Sequence, residues 1–414
     1  MKKLVGIITV LALFTSVASA ELLKNFKANG SIEVLSITAD NAVFFNKDTN
    51  DKYSETEARV VVGATFDLND DVDAKITAIK TDRQYGLGTT QDANEILSTF
   101  EFYEAYINLK GVLGMDHRIG KQFYGTPGDM VIYYGPSAWY ARYLGASNME
   151  GWTANYKKDK LTVGAITGKA LESTNNTMND IDLYGVTASY DLYEYLNPGF
   201  YYYQKDDRST FLSPIRLSVM GVKANGKVAG FNYAAEYAMN GGSDHGLTTD
   251  MNYRGTLMHL NADYGLEVGF GKFVFMGKYV MGSGDKTTGN KDDKQFRPIN
   301  PNYRPGLILG GTGTGAFTTI TSPSNLTTMT YGANFTPNKW DGKLNLDAKM
   351  VMAKYTEATL DGLGNEIDFV TTWNHSDDVT LKLALARFYP DKDIAILAKK
   401  DAVNLVNFYA NVKF

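Results

Sequence analysis

The sequence predicts an all-β protein: a single transmembrane antiparallel barrel of about 18 strands, with short periplasmic turns and long extracellular loops. Three observations carry this. Apolar and polar residues alternate with period two from end to end, while amphipathic helical patterns are scarce. The joins between alternating stretches switch between short and long, which suits a barrel with two unlike rims and has no reason to occur in a soluble sandwich. After Glu21 no segment approaches the length of a spanning helix, so a chain that leaves the cytoplasm crosses a bilayer only as closed strands.

Export is read from the first 20 residues. Lys2 and Lys3 form a charged start, Leu4 to Phe14 an apolar stretch, and Ala18-Ser19-Ala20 a small-residue cleavage site, which leaves 21–414 as the barrel. An apolar fraction of 44% and a net charge of −5 argue against disorder and against a nucleic-acid footprint. The 27 Tyr and 21 Phe, against 4 Trp, suit a membrane interface, where a ring with an apolar body and a polar tip is at home. The absence of cysteine excludes disulfides, thiolate catalysis and Cys-ligated metals.

The strands follow in order. Phe26–Thr38 and Glu55–Leu68 flank the long polar join Ala39–Ser54, and Val72–Lys80 follows the short turn Asn69–Asp71. Thr99–Lys110 comes after the long join Thr81–Ser98, and His117–Phe123 after the short Gly111–Asp116. Next are Gly151–Lys157, beyond the long join Tyr124–Glu150, and Lys160–Gly168, beyond Lys158–Asp159. Ile181–Asp191, Pro198–Lys205 and Ile215–Ala224 lead to an Asn225–Gly226 turn, the strongest short hairpin signal in the chain. Lys227–Met239, Arg254–Tyr264 and Gly271–Met281 precede the longest join, Gly282–Leu326. Thr327–Phe335, Lys343–Tyr355, Asn365–Trp373, Val379–Phe388 and Ala402–Phe414 complete the set. Most are near the roughly 9–11 residues that a tilted spanning strand needs. Eighteen is an even number, with sixteen left open.

Face assignment agrees. In the second strand Ala58, Val60, Val62, Ala64 and Phe66 oppose Glu57, Arg59, Thr65 and Asp67. In the fifteenth, Leu344, Leu346, Ala348, Met350 and Met352 oppose Lys343, Asn345, Asp347 and Lys349. At the C-terminus Val406, Phe408, Ala410, Val412 and Phe414 form an apolar row, expected to face lipid while the last strand closes onto the first. A terminal aromatic such as Phe414 also resembles the signal read by the outer-membrane assembly machinery.

Two stretches resemble the alginate-export family of outer-membrane barrels. Leu363 to Asp393 carries Gly364, Glu366 and Asp368 at the opening of a strand and Phe388 and Pro390 at the end of the next, with Asp391 where the family has glycine. Arg118 to Tyr156 resembles a Gly-Arg-Gln strand followed by Trp and Asp-Gly, with Lys121 in place of the arginine and Glu150-Gly151 in place of Asp-Gly. The resemblance implies an eighteen-stranded channel and leaves its solute open.

The inward positions do not favour a polyanion. Basic candidates are Arg59, Lys75, Lys110, Arg216, Lys272, Lys278, Lys343, Lys349, Lys382 and Lys413. Acidic ones are Glu57, Asp67, Asp73, Glu104, Glu236, Asp263, Asp347, Glu366 and Asp368. Near balance of sign predicts an outer-membrane porin for ions or small hydrophilic solutes rather than a polysaccharide exporter, which would focus positive potential. A non-conducting surface or partner-binding barrel is the third reading. If the Gly282–Leu326 loop folds inward, Arg297, Tyr303 and Arg304 reach the pore; a floppy exterior loop is the other option. In the Tyr124–Glu150 loop, Tyr133, Tyr134, Trp139 and Tyr140 are expected to anchor in the interface belt, with stacking on sugars as the alternative.

Catalysis is not expected. The histidines are His117, His245, His259 and His375, and strand neighbours two apart stand roughly 7 Å from each other, so no Ser–His pair is anticipated. Asn46 to Glu55 is rich in oxygen ligands but lacks the glycine and spacing of a calcium loop, so no metal or cofactor is expected. The expected partners are outer-membrane lipid and lipopolysaccharide and the assembly machinery; the sequence leaves monomer and homotrimer open, trimers being common among porins.

Overall fold

A computed structural model describes residues 24–42, 44–84, 100–172, 180–209, 214–245, 250–286, 290–312, 320–358, 362–392 and 400–414; the expected signal peptide lies outside them. The strands run in chain order β1 (Lys24–Asp40), β2 (Lys52–Asn69), β3 (Val72–Gln84), β4 (Glu101–Val112) and β5 (Met115–Gln122). The pair β6 (Tyr124–Gly125) and β7 (Tyr133–Tyr134) is followed by β8 (Met149–Lys158), β9 (Leu161–Leu171), β10 (Ile181–Tyr190), β11 (Asn197–Asp207) and β12 (Ile215–Val228). Next come β13 (Phe231–His245), β14 (Asp250–Tyr253), β15 (Thr256–Val268), β16 (Gly271–Gly282) and β17 (Asp292–Asp293). The last are β18 (Leu326–Pro337), β19 (Leu344–Tyr355), β20 (Gly362–Asn374), β21 (Val379–Pro390) and β22 (Val403–Lys413). Setting aside the short loop strands β6, β7, β14 and β17, eighteen antiparallel strands close one barrel. Each corresponds to one predicted from the alternation, most of them a few residues longer.

Closure happens where the C-terminus predicts it. β22 pairs antiparallel with β1 from Ser31↔Lys413 to Asp40↔Asn404. Phe414 and Gly30 then exchange both backbone hydrogen bonds, at 2.8 and 3.0 Å. Val406, Phe408, Val412 and Phe414 are exposed on the outer face, while Leu405, Asn407 and Tyr409 are buried inside. No edge is left unpaired at this seam, as hydrocarbon surroundings require.

The seam leaves no room for a side chain at Gly30. A Cβ there would lie 2.5 Å from the Phe414 ring and 2.6 Å from the Val61 carbonyl oxygen. Gly30→Val is therefore expected to weaken the barrel by about 1–3 kcal/mol through overpacking. The check is the temperature at which the folded band disappears in unboiled SDS gels, and an unchanged temperature contradicts the account.

One turn is not where the sequence puts it. Asn225 and Gly226 lie inside β12, and the β12–β13 hairpin turns at Ala229–Gly230, with φ of 50° and 85°. A turn at Asn225–Gly226 would set Ala224 against Lys227; Ala224 instead pairs with Ala235, a slip of 235 − 227 = 8 residues. An even slip keeps every side chain on its face, so the alternation could not reveal it. The longer hairpin lets Asn225 pair with Asn197 of β11, a contact the early turn would forfeit.

Candidate functional site

Inward residues of the strands meet two loops that fold into the lumen, residues 123–148 between β5 and β8 and the described parts of 283–325 between β16 and β18. Met130, Val131, Ile132 and Leu144 from the first, and Phe296, Ile299, Leu307, Ile308 and Leu309 from the second, are all buried. They pack against inward-facing Leu35, Ile37, Leu217, Val219, Leu257, Val280, Val351 and Phe388. The inner wall is thus not polar throughout: at this level of the barrel it is apolar and covered, forming a core of the ordinary kind.

The two loops hold each other. Val131 O accepts from Ile299 N and Asn300 N, both at 3.0 Å, and Tyr133 N donates to Asn300 O at 2.7 Å. Asn302 N donates to Asp129 O at 2.8 Å, and Arg142 N to Gly311 O at 2.9 Å. Asp129 shapes the first loop, its Oδ1 accepting from Val131 N at 2.7 Å and Ile132 N at 3.0 Å.

Carboxylates on the wall anchor the loops by their backbone amides. Leu144 N donates to Glu57 Oε2 at 3.1 Å. Ile308 N and Leu309 N donate to Glu366 Oε1 and Oε2 at 2.6 and 2.9 Å, and Leu307 N to Asp368 Oδ2 at 3.3 Å. Gly306 passes so close that a Cβ would lie 2.6 Å from the Glu366 carboxyl. Gly364 (φ 144°) sits beside the register shift between β19 and β20. Arg59 grips Glu33 at 2.8 and 2.5 Å and reaches Ser137 O and Gly145 O of the first loop at 3.3 and 3.2 Å. Burial pushes the Tyr140 hydroxyl up to about 12 and pulls the Arg304 guanidinium down, as expected of loops that exclude water.

Most residues proposed from the sequence face inward. Lys75 pairs with Glu104 at 2.7 Å, Lys349 with Asp347 at 2.7 Å and Lys110 with Asp73 at 3.0 Å. Lys278 and Lys382 stand over the rings of Tyr303 and Trp139, each at 5.1 Å, instead of beside a carboxylate. The second loop folds in, and Tyr303 is buried with its hydroxyl on Thr328. Arg297 lies 2.5 Å from Asp293 and above Tyr253, while Arg304 binds Gly310 O of its own loop.

Three expectations need correction. Arg216 faces outward, pairing with Asp206 at 3.2 Å, because its neighbours Leu217 and Val219 turn inward to the loop core. A charge-inside rule misreads a strand whose inner side is apolar. Tyr133, Tyr134, Trp139 and Tyr140 do not anchor in the interface belt: the first two are buried and the others pack inside, Trp139 at 5.6 Å from the Tyr409 ring. Ser243 Oγ and His245 Nε2 do meet, at 3.4 Å, with His245 Nδ1 3.3 Å from Asp250. The reach of the histidine ring closes the gap that Cα spacing leaves, here on an exposed rim. Sequence reasoning also missed Glu33, Lys223 and Arg118. Lys223 bridges Asp129 and Glu236 at 3.3 and 3.5 Å, and Arg118 lies 4.2 Å above Tyr106. Partner strands in register with known inward residues would have indicated all three.

An eighteen-strand closure with two inward loops can be compared with solved structures. Pseudomonas aeruginosa OpdQ matches at TM-score 0.60 and 14% identity, over 95% of this chain and 99% of that one. The fold they share is a closed antiparallel barrel of eighteen strands. Acinetobacter baumannii OccAB2 shares this barrel fold at TM-score 0.59 and 15% identity, over 94% and 98% of the two chains. Pseudomonas aeruginosa OccD3 does so at TM-score 0.58 and 10% identity, over 95% and 92%. No family model and no curated protein matches the chain.

Proposed function

We propose that the protein is an outer-membrane channel of a Gram-negative-type bacterium, passing ions and small hydrophilic solutes by diffusion through the lumen beside the inner loops. The observation that carries this reading is the pair of polar alcoves that the inner wall keeps open below the apolar core, about 500 and 460 Å3 in volume. Inward charges are largely cancelled: Arg59, Lys75, Lys110, Lys223 and Lys349 each have a carboxylate within 4 Å. Paired charges focus little net potential, so selectivity between anions and cations is expected to be weak. Polysaccharide export rests on the motif resemblance alone. Glu366 and Asp368 of that motif hold the second loop inside the lumen.

The test is conduction by the purified protein in planar bilayers. Discrete channels with a reversal potential near zero under a potassium chloride gradient are expected. Absence of conduction would overturn the channel reading, and a strongly anion-selective reversal potential would overturn the weak selectivity.

A further inference from the structure

Two alcoves flank the inner loops, and their linings differ in kind. One carries Asp73, Lys110, Asp116 and Arg118 on its wall and is charged. The other, beneath Trp139, is lined by neutral amides and hydroxyls, among them Asn345, Thr372, Asn374, Thr380 and Asn411. Among the described residues that line it the single charged one is Lys382, whose ammonium stands over the Trp139 ring at 5.1 Å and donates to Thr372 Oγ1 at 3.1 Å. Trp139 is itself held fast, edge-on to Tyr140 at 5.2 Å and tilted against Tyr409 at 5.6 Å.

We propose that this second alcove is a binding subsite for a neutral polyhydroxylated solute of one or two pyranose rings. The inference rests on the channel reading above. Amide and hydroxyl groups present donors and acceptors together, which is what a sugar hydroxyl needs, since it also does both. Thr380 already donates to Asn374 Oδ1 at 3.2 Å, so the Asn374 amide nitrogen is the group left to meet a ligand oxygen. The rigid indole supplies an apolar surface for the C–H face of a pyranose at little entropic cost. A carboxylate ligand would find one cation, already engaged by an aromatic ring and a threonine. A cationic ligand would be repelled by it. At about 460 Å3 the alcove is within the usual size of small-molecule sites.

The probe is maltose, added to the channel in planar bilayers while ion current is recorded. Wild-type channels are expected to show brief current interruptions whose frequency saturates with maltose. Trp139→Ala is expected to raise the half-saturating concentration about tenfold, equivalent to about 1.4 kcal/mol. Asn374→Leu, which leaves the inner loops untouched, should shift it in the same direction and serves if the tryptophan variant fails to assemble. Channels that conduct but show no interruptions overturn the subsite and leave the channel reading standing. So does a response unchanged in both variants, and gluconate blocking better than maltose overturns the neutral class. If the protein does not conduct, the channel reading falls, and tryptophan fluorescence in detergent decides the subsite. A maltose titration abolished by Trp139→Phe supports it, and no titration rejects it.

Discussion

Replacing Glu366 and Asp368 together by alanine is expected to raise single-channel conductance several-fold. Both carboxylates are buried in the wall of β20, and between them they accept three backbone amides, from Leu307, Ile308 and Leu309. Hydrogen bonds contribute about 0.5–1.5 kcal/mol each, and up to about 3 where the acceptor is charged, so losing all three removes a large part of what fixes the loop. What resists release is the apolar packing of Leu307, Ile308 and Leu309 and the bonds to the first loop. Those contacts keep the loop near the wall without fixing it. The variant should therefore show a larger mean conductance together with more open-channel noise. Ile367→Leu, one position along on the outward face, is the control and should leave both unchanged. A double variant with wild-type conductance and noise would mean that the loop does not limit the current.

The barrel was legible because its signals are local. Alternation along each strand and the length of each join need no knowledge of a partner, and each of the eighteen strands has its counterpart among those signals, with only the β12–β13 turn displaced. The plug was hidden because its signals are not local. Met130, Val131 and Ile132 read as an apolar run in a loop, and nothing near them names Leu35 or Phe388 as their cover. The same blindness inverted Arg216, since the inner face of β12 is apolar only because a loop from elsewhere fills the lumen beside it. The Gly-x-Glu-x-Asp motif was visible as residue types, but its use as a cradle for backbone amides depends on a loop that begins some 80 residues earlier (366 − 283 = 83).

Arg59→Ala should be the most destabilising single change in the wall. Arg59 and Glu33 are about 5 and 6% exposed and share two hydrogen bonds, with Tyr409 adding a third to Glu33 at 2.6 Å. Removing the arginine leaves a buried carboxylate with only a phenol to solvate it, a loss of about 3–5 kcal/mol. Removing both members and refilling the volume, as in Glu33→Leu with Arg59→Met, takes away the stranded charge, so most of the stability should return. The loop should not recover with it, because Ser137 O and Gly145 O still lack the guanidinium that held them. Urea unfolding in lipid vesicles reads the first effect, and conductance of the double variant reads the second. If the double variant unfolds as readily as Arg59→Ala, the instability comes from the lost loop contacts and not from the unpaired Glu33.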